Sequence, residues 1–271
     1  MSEQRTLLCD TAEAVFAEAA AFHSPFVSSE VETPFGVAQT RGISTTLDAN
    51  GIKSSMAPIE AAGFNLLLTP ESEGGFGGDW GDVFAVLRIA GAKVPHLPVG
   101  ELIIDGEISR PIGAFVRVAQ AAGAMDAALA MSIDYTNTRQ QFGKPLSKFQ
   151  AVQQVLAVFA TEAAAVNVAG AAAAAALDRA QGDTDAALFE IAAAKLRTNQ
   201  AIGQATSIAH QVHGAIGFTK DYDLHRLTGP LLNWRSDYGN DAYWADVLGG
   251  IAAKLGGAGV WAEVTRRTDP L

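Results

Sequence analysis

Apolar residues recur at every third or fourth position along most of this chain, the spacing of a helix with one buried face. The rhythm is clearest from Ile112 onward, at Phe115, Val118, Ala119, Ala122, Met125 and Leu129. It predicts three further long helices, at residues 150–180, 185–213 and 241–258. Because the connections are short, we expect the four helices to pack as an antiparallel bundle.

The first hundred residues predict shorter helices, interrupted by glycine and proline. Helical spacing is found at residues 6–22, 58–68 and 81–90, and residues 70–78 form a glycine-rich loop. Residues 35–50 are predicted to be irregular, because the glycines in and beside this segment break any periodicity. The best strand signal, Leu102-Ile103-Ile104, is too short to anchor a sheet.

These patterns together predict an all-α protein with two helical domains. The amino-terminal helical domain is assigned to residues 1–108 and the carboxy-terminal four-helix bundle to residues 109–271. The 271 residues are 49% hydrophobic and 18% charged, which is typical of a soluble globular protein with a sizeable core.

Charge and cysteine content narrow the function classes. The net charge of −10 argues against nucleic-acid binding, which requires an excess of lysine and arginine. Cys9 is the only cysteine, so no intrachain disulfide is possible. No apolar signal run follows the first residues, and the most apolar stretch, residues 166–177, is too short to span a bilayer. We therefore expect a cytoplasmic protein that does not enter a membrane.

One candidate binding motif is Arg139-Gln140-Gln141-Phe142-Gly143-Lys144-Pro145, followed by Phe149-Gln150. The guanidinium of Arg139 is a fork of donors that suits a pyrophosphate. Phe142, three residues later, is expected on the same helix face, where its ring can lie against another ring. Gly143 and Pro145 are expected to end that helix, and the next begins near Phe149. The alternative is a surface arginine before an ordinary turn.

A second motif, Gln211-Val212-His213-Gly214-Ala215-Ile216-Gly217-Phe218, follows some seventy residues later. The long helix is expected to end at Gly214. Backbone amides at Gly214 and Ala215 can approach a phosphate closely there, and Gln211 adds a side-chain contact. The alternative is a helix end with no ligand.

Together with Pro70-Glu71-Ser72-Glu73-Gly74-Gly75-Phe76-Gly77, these motifs resemble three signatures of the flavin-dependent acyl-CoA dehydrogenases. The resemblance runs from about residue 58 to residue 250. It has one interior deletion, because only twelve residues separate Pro98 from Pro111, where these enzymes carry a middle β-domain that holds the flavin ring.

The resemblance implies an FAD shared between subunits. A partner's β-domain would hold the isoalloxazine, and this chain would bind the ADP end. The implied contacts are Arg139, Phe142, Leu146, Phe149, Gln150, Gln211, Val212, Gly214 and Ala215.

The family's catalytic base is a glutamate that removes an α-proton, and neither of its two usual positions holds a carboxylate here. Those positions align with Tyr238 and Gly113. Asp237 lies one residue away, so it is either a recruited base or, as we expect, a charge that pairs with Arg235 or caps the following helix. No catalytic residue is therefore predicted.

Other groups of residues carry weaker signals. His210 and His213 lack nearby carboxylates or cysteines, so they predict core or capping histidines and no metal site. Arg110 and Arg117 would either meet CoA phosphates or lie on the surface. An aromatic cluster consists of Trp234, Tyr238, Tyr243 and Trp244. It predicts an acyl pocket, a buried core or a subunit interface.

The first hypothesis is a subunit of an acyl-CoA dehydrogenase that desaturates an acyl-CoA between the α and β carbons. A full-length subunit would be its partner in an α2β2 heterotetramer, and an electron-transfer acceptor would reoxidise the flavin. Residues 224–239 resemble two-subunit enzymes of bacterial steroid degradation, which implies a bulky polycyclic or branched acyl group. The alternatives are a flavin-free scaffold or acyl-CoA-binding homologue, and a self-contained homodimer that uses Asp237.

Overall fold

The computed structural model describes residues 3–21, 45–104 and 106–268. In these ranges the chain forms helices joined by short loops, with one two-stranded hairpin, and the predicted all-α class is confirmed. The helices are α1 (Glu3–Ala21), α2 (Thr45–Ala61), α3 (Trp80–Lys93), α4 (Val99–Ile103), α5 (Arg110–Thr138), α6 (Gln150–Arg179), α7 (Leu188–His213), α8 (Leu224–Trp234) and α9 (Asp241–Thr268). The strands are β1 (Gln140–Gln141) and β2 (Lys144–Pro145), and single 3-10 turns occur at Phe64–Leu66, Glu71–Glu73, Leu146–Lys148 and Gly214–Phe218.

The predicted ends of the short helices were wrong before residue 70. Helix α2 already begins at Thr45, inside the segment predicted to be irregular, and the rest of that segment, residues 35–44, lies outside the described residues. Pro58 lies within α2 and does not start a helix. Gly51 had been taken as a break, yet a glycine inside a helix costs only about 1 kcal/mol, which tertiary packing can offset.

The best strand signal, residues 102–104, forms no strand, in keeping with the expectation that it was too short to anchor a sheet. Val99–Ile103 is a helix, and Val99 and Ile103 are buried in the core. A short apolar run does not distinguish a buried strand from a buried helical turn, because periodicity needs more residues to show.

Two hydrophobic clusters hold the helices together. One joins Phe16 of α1, Val83 of α3, Phe115 of α5 and Ile191 of α7. The other lies within the bundle, around Met125, Phe159, Ile202 and Leu231. The first cluster contains residues from both sides of position 108, and the domain boundary there stays a prediction.

Helices α3 and α5 cross closely at two glycines. A Cβ built on Gly91 would lie 1.9 Å from the carbonyl oxygen of Gln120, and one built on Gly123 would lie 1.7 Å from that of Arg88. Neither backbone oxygen can move without shifting its whole helix. The close crossing therefore depends on glycine at both positions.

Replacing Gly123 with alanine is expected to destabilise the chain by about 2 kcal/mol or more, since the new methyl group forces the two helices apart. Urea unfolding checks this value. Gly249→Ala is the matched control: Gly249 is also within a helix, α9, and its Cβ would meet nothing within 4 Å. It is expected to be neutral or slightly stabilising, and equal destabilisation by both changes would contradict the close crossing.

Three of the described helices are long and apolar enough to cross a membrane by length and composition: α5, α6 and residues 241–266 of α9. In α5, 78% of the apolar window is buried inside the protein, against 22% in α6 and none in α9. Residues 166–177 were expected to be too short to span a bilayer. That premise was wrong, because they belong to the 30-residue helix α6. The expected absence of a membrane stays a prediction.

Candidate functional site

The first motif forms a hairpin and not the helix face that was expected. Helix α5 ends at Thr138, and the amide of Arg139 donates to the carbonyl of Tyr135 at 2.8 Å as the last bond of the helix. Strands β1 and β2 then pair, with Gln140 opposite Pro145. Arg139 and Phe142 therefore do not share a helix face. Phe142 (φ 52°) and Gly143 (φ 77°) occupy the hairpin turn, and a tight two-residue turn favours positive φ at both positions.

The side chain of Phe142 is 91% exposed, although it is large and apolar. Its ring meets Phe149 edge-on, with centroids 6.2 Å apart, and the ammonium of Lys144 lies 4.3 Å from the Phe149 centroid. A left-handed conformation at a non-glycine residue costs about 1 kcal/mol or more and is typical of functional sites. The hairpin tip thus presents an exposed ring beside a cation. Helix α6 begins at Gln150, as predicted.

The second motif ends helix α7 where it was predicted to end. His213 is the last helical residue, and Gly214 (φ 66°) is the C-cap. The amide of Gly214 donates to the carbonyl of His210, so this amide is already used. A Cβ on Gly214 would meet nothing within 4 Å, so the surface there is open.

The nine residues assigned to the ADP end differ in exposure. Arg139, Phe142, Gln150, Gln211, Gly214 and Ala215 are exposed, and Leu146 and Phe149 are partly buried. Val212 is 8% exposed, so it contributes to the core. Its contact with any ligand would have to come from the backbone.

The two motifs are brought together by an aromatic stack. The ring of Tyr135 lies on that of His213, with centroids 4.6 Å apart and planes 26° from parallel. The His213 Nδ1 lies 2.7 Å from the Ala209 carbonyl oxygen, and its Nε2 lies 3.3 Å from the Tyr222 hydroxyl. Arg139 is one helical turn after Tyr135 and Gly214 directly follows His213. The stack therefore places both motifs at one end of the bundle.

His213 acts in this junction as a neutral side chain. Burial lowers its pKa, and the same cause raises the pKa of the Tyr222 hydroxyl. The neutral ring donates from Nδ1–H to the Ala209 carbonyl and accepts from the Tyr222 hydroxyl at Nε2. His210 has a similar packing role, since it stacks on Phe218 with centroids 4.3 Å apart. Across the described residues, no group of three His, Cys, Asp or Glu side chains could hold a metal ion.

Replacing His213 with leucine is expected to lower the free energy of unfolding by about 1–3 kcal/mol. It removes the stack on Tyr135 and the hydrogen bonds of the ring to the Ala209 carbonyl and to the partly buried Tyr222 hydroxyl. Thermal unfolding of His225→Leu is the matched control, because His225 is exposed and its Nδ1 contacts only a local carbonyl in the bonds described, that of Tyr222. The role of His213 would be refuted if both variants melted alike.

The two positions where the family places its base meet in space. A Cβ on Gly113 would lie 2.3 Å from the ring of Tyr238, so the tyrosine packs directly on the glycine backbone. Tyr238 itself has a positive φ of 56°. Gly113 therefore has no room for a side chain beside Tyr238, and position 238 is filled by the tyrosine ring itself.

Asp237 pairs with Arg117, so both of its expected roles were wrong. Its Oδ2 accepts from the Arg117 Nε at 3.1 Å, whereas Arg235 pairs with Asp241 at 2.9 Å. The side chain of Asn240 accepts from the amide of Tyr243 near the start of α9. The turn at Tyr238 and Gly239 directs Asp237 toward α5, which the local sequence does not reveal.

Arg117 has neither of its expected settings, a CoA phosphate contact or a surface position, whereas Arg110 is exposed, as the surface alternative predicted. The side chain of Arg117 is only 14% exposed, and its three guanidinium nitrogens bind Asp237, Gln120 and Glu101. Arg110 places its guanidinium 4.6 Å from the ring centroid of Tyr243. Three of the five N–H donors of Arg117 are thus already used within the chain.

The aromatic cluster divides between the core and the surface. Trp244 is fully buried and Trp234 is 5% exposed, whereas Tyr243 is 38% exposed. Trp234 also lines a cavity of about 700 Å³, together with Glu101, Arg117 and Asp237. The prediction of a core is confirmed for the two tryptophans.

Sequence reasoning missed Lys195, which is 1% exposed inside α7. Its Nζ donates to the Trp234 carbonyl at 2.6 Å and to the Asn199 side-chain oxygen at 2.7 Å. Burial lowers its pKa from 10.5 to about 8, partly opposed by the charges of Asp237 and Asp241. A signal was available, because Lys195 is four residues after Ile191 and seven before Ile202, on the apolar face of the helix.

Comparison with known proteins agrees with this geometry. The sequence profile of the family described as "Acyl-CoA dehydrogenase, C-terminal domain" matches residues 112–230. These residues are therefore similar to the carboxy-terminal domain of the acyl-CoA dehydrogenases. They include both the hairpin motif and the His213 motif, so the resemblance on which the sequence analysis relied is confirmed.

Similar proteins lie in the same family. "Acyl-CoA dehydrogenase FadE34" of Mycobacterium tuberculosis is 34% identical over 178 residues, which are 65% of this chain and 22% of that protein. "Probable acyl-CoA dehydrogenase FadE25" of the same organism is 31% identical over 183 residues, which are 66% of this chain and 45% of that protein. The chain therefore spans less than half the length of these relatives.

Two solved structures share the fold along nearly their whole length. A chain of the ChsE4-ChsE5 complex from Mycobacterium tuberculosis has a TM-score of 0.70 at 14% identity, covering 92% of this chain and 97% of that one. A chain of the Tcur3481-Tcur3483 steroid ACAD G363A variant has a TM-score of 0.71 at 17% identity, covering 93% and 98%. At such identities the likeness shows the fold alone, which is helical and lacks a middle β-domain in the residues described here.

Proposed function

We propose that this chain is a subunit of an FAD-dependent acyl-CoA dehydrogenase and supplies the ADP half of a flavin site to a full-length partner subunit. The observation that carries the proposal is the convergence of both motifs on the Tyr135–His213 stack. It leaves Arg139, Phe142 and Gln211 exposed at one end of the bundle. A cation, an exposed ring and a side-chain amide fit the anionic and aromatic parts of an ADP group.

The flavin, when bound, would accept the hydride from the substrate. In this account Arg139 binds the pyrophosphate, Phe142 covers an aromatic or sugar face, and Gln211 donates or accepts a hydrogen bond. Gly214 keeps the surface open, because no side chain stands there. The 91% exposure of the Phe142 ring supports a ligand or partner at the hairpin, since the isolated chain gains no burial from it.

This chain does not supply the base. Gly113 and Tyr238 close the family's two base positions against each other, and Asp237 is held by Arg117. A glutamate of the full-length partner would remove the proton. The same partner would supply the β-domain that encloses the isoalloxazine.

The assignment of the partner and of the substrate rests on two structural relatives. One is a complex of ChsE4 with ChsE5 and the other is named as a steroid ACAD. By analogy we assign this chain to an α2β2 heterotetramer that acts on a steroid-derived acyl-CoA and passes electrons to an electron-transfer acceptor. A cytoplasmic location is part of the same proposal.

The alternative function is a flavin-free scaffold or acyl-CoA-binding homologue. The two base positions favour it, because they hold Gly113 and Tyr238 and neither is a carboxylate. The exposed side chains of Arg139 and Phe142 favour the proposal of a flavin-binding subunit, since a scaffold has no need of them.

Co-expression with candidate full-length acyl-CoA dehydrogenases tests the proposal. The expected result is a stable complex that contains flavin and reduces a dye when a steroid-derived acyl-CoA is added. A chain that forms no complex, or forms one whose flavin and activity do not differ from those of the partner alone, would support the scaffold reading.

A further inference from the structure

A cavity of about 700 Å³ lies between α4, α5, α8 and the loop at residues 235–240. Its walls include apolar side chains from two separate segments, namely Leu97 and Pro98 before α4 and Pro230 and Trp234 of α8. The volume falls in the range of about 300–1,000 Å³ that is common for small-molecule sites. By size and by these walls alone, the cavity would suit a hydrocarbon group.

The remaining wall of the cavity is charged. Arg117 donates from Nη2 to Glu101 at 2.8 Å and from Nε to Asp237 at 3.1 Å, and all three residues line the cavity. Its Nη1 donates to the side-chain oxygen of Gln120 at 2.7 Å, and Gln120 is fully buried. We name Glu101, Arg117 and Asp237 the ion triad.

The guanidinium is also held by aromatic faces. Its carbon lies 5.8 Å from the ring centroid of Trp234 and 5.7 Å from that of Tyr238. With every nitrogen bonded and two rings beside it, Arg117 has little freedom to swing out of the cavity. The polar wall is therefore a fixed part of the fold.

An acyl chain that entered the cavity would displace water from the ion triad. The carboxylates of Glu101 and Asp237 are 37% and 41% exposed, so they still depend on that water. Charged groups that lose water without gaining hydrogen bonds oppose burial strongly, and a hydrocarbon offers them none. We propose that Arg117 determines the specificity of this cavity, which admits water and polar groups and excludes acyl chains.

This inference concerns one cavity of this chain and goes beyond the proposed function. It requires neither flavin nor a partner, so it holds equally if the chain is a scaffold. If it fails, the flavin proposal is unaffected, because that proposal rests on residues at the hairpin and at the end of α7.

Titration of the full chain with the fluorescent fatty acid cis-parinaric acid tests the inference. The wild-type chain is expected to show no saturable binding. The triple variant Glu101→Gln, Arg117→Leu, Asp237→Asn is expected to bind at least tenfold more tightly than wild type. The matched control is Arg88→Leu with Asp126→Asn, which removes a different ion pair, 2.7 Å long, between α3 and α5. It should bind no better than wild type.

Two results would overturn the inference. One is a triple variant that folds, by circular dichroism, yet binds no more tightly than wild type. The other is saturable binding to wild type that is lost in Gly229→Trp, a change that fills the cavity from α8, where a Cβ has open space. The comparison of wild type with Gly229→Trp decides whether the cavity excludes the probe even if the triple variant does not fold.

Discussion

Replacing Arg139 with alanine is expected to reduce the flavin content of the purified complex of this chain with its partner at least tenfold. Arg139 supplies an exposed cation next to the junction that holds the two motifs together. A charge-assisted hydrogen bond contributes about 1.5–3 kcal/mol, and a guanidinium that forms two bonds to a pyrophosphate stands at the upper end. Flavin released by heating the complex, measured per mole of chain, checks the value.

Two control variants separate charge from geometry. Arg139→Lys retains the charge but not the fork of donors, so it is expected to retain an intermediate amount of flavin. Arg179→Ala removes an arginine at the end of α6, where it pairs only loosely with Glu190 at 3.9 Å, and should retain the wild-type amount. Unchanged flavin content in Arg139→Ala would remove Arg139 from the site.

Replacing Lys195 with methionine is expected to destabilise the chain by about 3 kcal/mol at neutral pH. The change leaves the carbonyl of Trp234 and the side-chain oxygen of Asn199 buried without their donor, and such groups cost about 1–3 kcal/mol each. Asn199 in turn donates to the carbonyl of Gly239 at 3.4 Å. Lys195 therefore ties both ends of the loop at residues 235–240 to α7, and urea unfolding measures its contribution.

The same lysine predicts a dependence of stability on pH. Its pKa is about 8 in the folded chain and near the ordinary 10.5 when unfolded. Between these values the unfolded chain holds a proton that the folded chain has released, so this group adds stability as pH rises. The gain approaches about 3 kcal/mol, at about 1.36 kcal/mol per pKa unit. The stability difference between wild type and Lys195→Met is therefore expected to widen from pH 8 to pH 10.5.

The comparison with Lys195→Met is needed because other groups titrate in the same window. Burial raises the pKa of the Cys9 thiol and of the Tyr222 hydroxyl, and both effects lower stability as pH rises. Both groups are present in the variant, so they cancel in the difference. Two stability curves that stay parallel from pH 8 to pH 10.5 would contradict the assigned role of Lys195.

The long helices were predictable because each carries its own periodic signal. Helix α6 was expected at residues 150–180 and is found at Gln150–Arg179. Helix α8 was not separated from its surroundings in the sequence, because it has only eleven residues and contains Pro230. Short helices that depend on tertiary contacts give too little periodicity to be placed from sequence alone.

The candidate site was predictable in its residues but not in its shape. Gly214 marks the end of α7 because a glycine C-cap is a local feature. The hairpin at Phe142 was missed, since a helix that continues through Arg139 fits the local sequence equally well. The pairing of Asp237 with Arg117 joins residues 120 positions apart, and no local pattern encodes such a contact.

The central claim is that this chain binds flavin only together with a partner, and the visible absorption spectrum tests it most directly. The chain purified alone is predicted to be colourless, and the complex with a full-length acyl-CoA dehydrogenase is predicted to show the flavin band at one flavin per pair of chains. A chain that is yellow by itself, with flavin near one per chain or one per homodimer, would contradict the account.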